Sequence, residues 1–160
     1  MPVDSSGNVE SKIALIGLAP GLHGANKTGI PFTSDFSGEV IRKILDKLHL
    51  QDIFITNAVR CYPKNNKPTS VMINNCHKHT KREIKSLSNL KVIISLGTTS
   101  YYQILKLYNL NRKSHKFYHG KIINLVTIFI ELRIYSLQRN KIQKISQNRK
   151  LTFIPSFFIE

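Results

Sequence analysis

Asp35 is the only acid between Glu10 and Glu39, and it stands in a loop crowded with His23, Asn26, Lys27, Thr28, Thr33 and Ser34. Such a carboxylate can orient a water or stabilise positive charge that develops in a reaction. It can equally be a turn residue or a helix N-cap near Ser37. Phe32 is either ordinary core or an aromatic wall on which a planar base stacks. Gly17-Leu18-Ala19-Pro20-Gly21 has glycines that permit sharp turns and let backbone N–H groups face a ligand, with Pro20 stiffening the path. The G-x-G-x-x-G spacing is missing and no Gly-Lys-Ser/Thr follows, which speaks against a dinucleotide or P-loop phosphate cradle. Asn57 can present paired donor and acceptor groups to the edge of a base or imide. Cys61 and Cys76, with fourteen residues between them, are either small buried apolar groups or half of a four-cysteine iron-sulfur site. His77 and His79 beside Cys76 suggest zinc, but neighbouring helical positions do not converge on one point.

These residues need elements to position them. Apolar runs at 12–16, 53–56, 91–96 and 122–130 read as four strands. Between them, Val40, Ile41, Ile44, Leu45 and Leu48 share one helical face behind Ser37, a candidate cap. Ile73, Cys76, Thr80, Ile84 and Leu87 share another behind Thr69, and Gly97-Thr98-Thr99 turns into a short helix carrying Ile104, Leu105 and Leu107. Strands alternating with helices predict an α/β fold, a mostly parallel central sheet flanked by helices. Ligands in such folds bind beyond the carboxyl ends of the strands, where residues 17–36 and 57–68 form long loops rich in glycine, proline or asparagine. Residues 1–11 read as a polar lead-in with nothing apolar to bury.

The chain has 160 residues, 41% of them apolar, enough for one domain and its core. Its 24 Lys and Arg against 9 Asp and Glu give a formal charge of +15, which attracts nucleic acid or another polyanion. Two cysteines are too few for a disulfide scaffold or a complete four-cysteine centre within the chain. No secretory pattern and no run of eighteen apolar residues stand in the sequence, so a cytoplasmic protein with no membrane span is expected.

The two loop segments resemble the uracil-DNA glycosylase superfamily, in its iron-sulfur type-5 (family B) branch. Gly17 to Gly21, His23-Gly24-Ala25-Asn26-Lys27-Thr28-Gly29 and Pro31-Phe32-Thr33-Ser34-Asp35-Phe36-Ser37-Gly38 resemble its first active-site motif. Thr56-Asn57-Ala58-Val59-Arg60-Cys61-Tyr62-Pro63-Lys64-Asn65-Asn66-Lys67-Pro68-Thr69, with Asn75-Cys76, resembles its second conserved segment. The resemblance implies removal of uracil or other deaminated bases from DNA, a step of base excision repair, by a monomer. It implies that Asp35 is the acidic catalytic residue of the first motif, acting as its carboxylate, and that Phe32 stacks on the base. Gly17, Leu18, Ala19, Pro20 and Gly21 would make close backbone contacts, and Asn65 or Asn66 would contact water or backbone. Cys61 and Cys76 match two of the four ligands of a [4Fe-4S] cluster that holds loops together.

Two departures stand beside these matches. The segment carrying the other two cluster cysteines is missing, and Arg133-Ile134-Tyr135-Ser136-Leu137-Gln138-Arg139-Asn140 has no histidine where the family carries a His-x-Ser segment. They imply a chain that starts late in the family pattern and degenerates after about residue 131. The expected division is a glycosylase-like domain over 1–130 and a poorly ordered segment over 131–160. A catalytically inactive nucleic-acid-binding remnant is the alternative reading, and a basic structural protein explains the charge but not the motifs.

Overall fold

Ile13–Gly17 is buried at every position, as a strand covered on both faces must be. In a computed structural model, which describes residues 1–125 and the backbone of 130–135, this segment is β1, inside a five-stranded sheet. The order is β2-β1-β3-β5-β4, with β2 at Phe54–Asn57, β3 at Val92–Leu96, β4 at Ile122–Leu125 and β5 at Ile130–Tyr135. Strands β2, β1, β3 and β5 are parallel, and β4 closes the edge antiparallel to β5. The expected α/β sheet flanked by helices is the fold observed.

The helices are α1 (Ala25–Thr28), α2 (Phe36–Lys47), α3 (Ser70–Ser86) and α4 (Thr98–Leu107). Alternation along the strands divides the core in two. Ala14, Ile16, Phe54 and Ile93 pack with Ile84 of α3 and with Tyr101, Ile104 and Leu105 of α4. Ile13, Leu15, Ile53, Ile55 and Val92 pack with Ile41 and Leu45 of α2. Cutting a fully buried side chain such as Ile104 back to alanine removes about 2–5 kcal/mol in sites of this kind.

Three expectations are corrected. The run 122–130 is not one strand: Ile122–Leu125 is β4, and Ile130 already begins β5, which returns with Leu125 opposite Ile130 and Ile122 opposite Arg133. A β-branched run without Gly or Pro gives no signal of such a reversal; residues 126–129 themselves lie outside the described ones. The boundary drawn at 130 therefore falls at the start of β5, whose residues up to Tyr135 pair with β3. The remainder of the expectation for 131–160 lies outside the described residues. Asp35, not Ser37, is the N-cap of α2. The lead-in is not without apolar contacts, since Val3 is buried. Its N–H donates to Arg60 O at 2.8 Å, and Ser6 bridges Ile55, so the segment covers the otherwise open edge of β2.

Helix α2 carries the chain from β1 to β2 on one side, and α3 carries it back past β1 to β3 on the other. The carboxyl ends of β1 and β3 thus flank the point where the strand order reverses, which is where open α/β sheets bind ligands.

Candidate active site

Gly17, the last residue of β1, pairs with Asn57, the last of β2. The ladder continues past both strands, with Ala58 N–H donating to Gly17 O at 2.9 Å and Val59 N–H to Leu18 O at 3.0 Å. Leu18, Ala19 and the buried Asn57 are thereby held side by side. A methyl group on Gly17 would overlap Asn57 Oδ1 and lie 2.5 Å from Phe32 Cζ. Only a residue without Cβ lets the amide and the ring both reach this strand end.

Phe32 has φ of 54°, a left-handed conformation costly for an aromatic residue, about 1–3 kcal/mol. Its surroundings over-determine it. Arg42 of α2 donates from Nε to Phe32 O at 3.3 Å and from Nη2 to Pro31 O at 3.0 Å. Thr33 Oγ1 donates to Ile30 O at 2.8 Å and meets the Thr28 hydroxyl. Arg42 is a residue that the sequence reading missed, because its partners are carbonyls ten and eleven positions away in an irregular loop.

Asp35 caps a helix and lines a cleft at once. Oδ1 accepts from Gly38 N–H at 2.8 Å and caps α2. Oδ2 packs onto the turn at 21–24: a methyl on Gly21 would lie 2.6 Å from it, and one on Gly24 would overlap it while lying 2.6 Å from Asp35 Cγ. The same carboxylate lines a cleft of about 460 Å³, a size suited to a small planar ligand.

Gly17, Leu18, Ala19 and Gly21 from the first loop line that cleft, together with Ala25, Phe32, Asp35 and Ser37. Asn57 and Asn66 line it as well, as do Leu96, Gly97, Thr98 and Thr99. The loops 17–36 and 57–68 therefore meet at one end of the sheet. Of the residues expected here, Pro20 is buried behind the wall rather than on it. Asn65 is not among the lining residues; its neighbour Asn66 is, and both have left-handed backbone, φ 56° and 55°, in the 3₁₀ turn Lys64–Asn66. The Leu96 to Thr99 wall was legible only as a turn into a helix. Its signal was an apolar strand stopped by glycine at the same sheet end as the other loops. Gly97, with φ of 100°, precedes α4, so the unpaired N–H groups of that helix's first turn and its positive dipole end belong to this wall.

Ion pairs of the buried Arg60 hold the second loop. Arg60 pairs with Glu83 of α3 and, at 3.3 Å, with Asp4 of the lead-in, while Glu83 also accepts from Thr56 Oγ1 at 3.1 Å. Arg60 N–H donates to Cys76 Sγ at 3.4 Å, which brings α3 against the residue preceding Cys61. Both cysteines are free, Cys61 exposed and Cys76 half-buried. Two thiols supply half of a Cys₄ ligand set, and no group of three or more His, Cys, Asp or Glu among the described residues could hold a metal. These residues do not by themselves fit a complete [4Fe-4S] centre. Nor does His77 turn toward Cys76 and His79 as a ligand: its Nδ1 meets Gln103 Oε1, and the Gln103 amide donates to Ile73 O at 2.7 Å. Burial holds the His77 imidazole below its ordinary pKa, against the raising effect of the Gln103 hydrogen bond, and nearby Lys106 and Lys81 add to the lowering.

The family model of the Uracil DNA glycosylase superfamily matches residues 5–155. A "Type-5 uracil-DNA glycosylase" of Thermus thermophilus is 37% identical over 133 residues, covering 74% of this chain and 61% of that protein. One of the same name from Pyrobaculum aerophilum is 28% identical over 84% of this chain and 63% of its own. A "Type-4 uracil-DNA glycosylase" of Saccharolobus solfataricus is 32% identical over 74% of this chain and 56% of its own. The chain thus spans 61% and 63% of the length of the first two. No helix among the described residues is long and apolar enough to cross a membrane.

Proposed function

The chain belongs to the uracil DNA glycosylase superfamily, and from that premise we propose that its cleft takes up uracil, or another deaminated base, flipped out of DNA and hydrolyses the N-glycosidic bond. The protein acts in this reading as a cytoplasmic monomer whose partner is DNA. The observation that carries it is convergence: Phe32 and Asp35 from the first loop and Asn57 from the end of β2 share one cleft.

In the reaction the C1′–N1 bond breaks, the base leaves as an anion, and a water oxygen bonds to C1′ as positive charge on the sugar is discharged. Phe32 gives the base a stacking face. The Asn57 amide offers a donor and an acceptor to its polar edge. Asp35 is fixed by the Gly38 N–H, so its negative charge is in place without reorganisation, to orient the water, take its proton and stabilise the cationic sugar. The N–H groups at the start of α4 line the same cleft and suit the leaving anion. Asn66 is a further contact to water or backbone. Cys61 and Cys76 would hold two corners of a [4Fe-4S] cluster if the remaining ligands came from elsewhere, and no step depends on it.

A second reading, DNA binding without excision, is favoured by one observation: residues 133–140 contain no histidine. Losing one preorganised group that stabilises developing charge costs about 3 kcal/mol, roughly a hundredfold in rate. Slow excision is therefore expected of this chain. The test is formation of abasic sites in uracil-containing single- and double-stranded DNA under enzyme excess. Slow excision supports the first reading; binding with no abasic product at long times supports the second; neither binding nor product rejects both.

A further inference from the structure

The second half of α3 carries four full positive charges, Lys78, Lys81, Arg82 and Lys85, and the helix has one acid, Glu83. At the helical repeat the four cations fall within roughly 100° of arc, centred opposite the side that holds Thr80, Ile84 and Glu83. All four are exposed. Glu83 does not neutralise them, because its carboxylate turns inward to Arg60 and Thr56. Lys106 of α4 extends the cationic surface, exposed and donating from Nζ to Asn74 Oδ1 at 3.2 Å. The opposite face of the sheet differs: α2 mixes Arg42, Lys43 and Lys47 with Glu39 and Asp46. Among the described residues, the only ion pairs are those of Arg60.

We propose that the outward face of α3, joined by Lys106, is a second docking surface for the sugar-phosphate backbone of DNA, away from the cleft. It rests on the proposed function only for the choice of DNA as the polyanion. No apolar or aromatic residue lies between Lys78 and Lys85 on this arc. The exposed Val71, two turns before Lys78 on the same stripe of α3, is its one apolar side chain, so the cationic stretch itself offers nothing for bases to stack on or for lipid to bury and fits phosphate. The stretch from Lys78 to Lys85 rises about 10 Å, the length over which duplex DNA carries roughly six charges. Contacts of this kind are independent of sequence and act on affinity through release of counterions.

The test is fluorescence anisotropy of a labelled, uracil-free 30-base-pair duplex, titrated from low to physiological salt with the full chain. Substituting Lys78→Gln, Lys81→Gln, Arg82→Gln and Lys85→Gln together keeps good helix formers at exposed positions, and thermal unfolding checks that the fold survives. The expected result is a salt slope about 2–4 smaller, with an affinity loss of tenfold or more at low salt. A control pair, Lys43→Gln with Lys47→Gln on α2, should change the slope by less per charge removed. Lys106→Gln alone, which leaves α3 intact, should lower the slope by at most about one. Equal loss per charge from α2 and α3 would assign the effect to net charge and overturn the proposal, as would an unchanged slope in the quadruple variant. Tighter binding to phosphatidylserine vesicles than to the duplex, abolished by the same four substitutions, would also overturn it in favour of a membrane surface. Because the duplex has no uracil, failure of the excision reading leaves this result standing, and the reverse holds too.

Discussion

Replacing Asp35 in two ways separates the two jobs of its carboxylate. Oδ1 caps α2 through Gly38 N–H, and the charge as a whole faces the cleft. Asp35→Ala removes both. Loss of an N-cap costs about 1 kcal/mol, which in a domain of this size lowers the melting temperature by roughly 2–4 °C. Asp35→Asn keeps an oxygen for the same N–H, and Asn ranks with Asp as a cap. It loses the attraction of a negative charge to the helix N-terminus, about 0.3–1 kcal/mol, so its melting temperature should fall by roughly 1–4 °C. In the cleft the two substitutions are alike, because neither leaves a charge to stabilise the cationic sugar or a base to take the proton. Each should slow excision by roughly a hundredfold or more, equivalent to about 3 kcal/mol. Affinity for duplex DNA, a sum over many Lys and Arg contacts, should stay nearly unchanged in both. Thermal unfolding followed by circular dichroism, single-turnover excision from a uracil-containing oligonucleotide and anisotropy read the three quantities separately. An Asp35→Asn protein that excises at the parent rate would return Asp35 to a purely capping role. An Asp35→Ala protein that melts with the parent would show the cap contributes nothing.

Four further outcomes are expected. Gly24→Ala should destabilise by about 1–3 kcal/mol, the cost of overpacking, since its methyl would lie 2.6 Å from Asp35 Cγ and 2.9 Å from Thr33 O; a urea midpoint equal to the parent's would refute the close approach. Arg42→Lys cannot donate to the Pro31 and Phe32 carbonyls as a fork, so limited proteolysis should cut within 17–36 faster than in the parent, and unchanged cleavage would count against the clamp. Burial, with Tyr102 adding to it, raises the Tyr101 phenol from 10.0 to about 12. The unfolded chain then loses that proton first, and stability should fall as pH rises from 10 to 12; Tyr101→Phe should flatten this part of the profile, and an equal slope would show the phenol is not responsible. After anaerobic reconstitution the chain alone should hold less than one [4Fe-4S] centre per monomer because it offers two thiols, and four iron and four sulfide per monomer in a monomeric fraction would contradict this.

What the linear sequence determined is what short-range periodicity and local chemistry encode. The strands β1, β2 and β3 were legible as apolar runs because each is buried on both faces. The inward side of α3 was legible from its spacing, and Thr69 as its cap, because a cap is a local bond, here to Met72 N–H at 3.2 Å. The long loops were legible as a candidate site because glycine-, proline- and asparagine-rich segments of that length leave from strand ends.

The tertiary structure decided whatever depends on residues far apart in the chain. Val3 is buried only because β2 has an edge to cover, and the reversal after Leu125 exists only because β5 finds β3. Whether Asp35 or Ser37 capped α2 turned on where the loop entered the helix. Asn66 rather than Asn65 reaches the cleft because two left-handed residues in succession redirect that turn. The Leu96 to Thr99 wall and the Arg42 clamp gain meaning only when β3 and α2 stand beside the end of β1. Each of these outcomes is a contact between distant segments, whose energy is absent from any local window and arises only when the whole sheet closes its core.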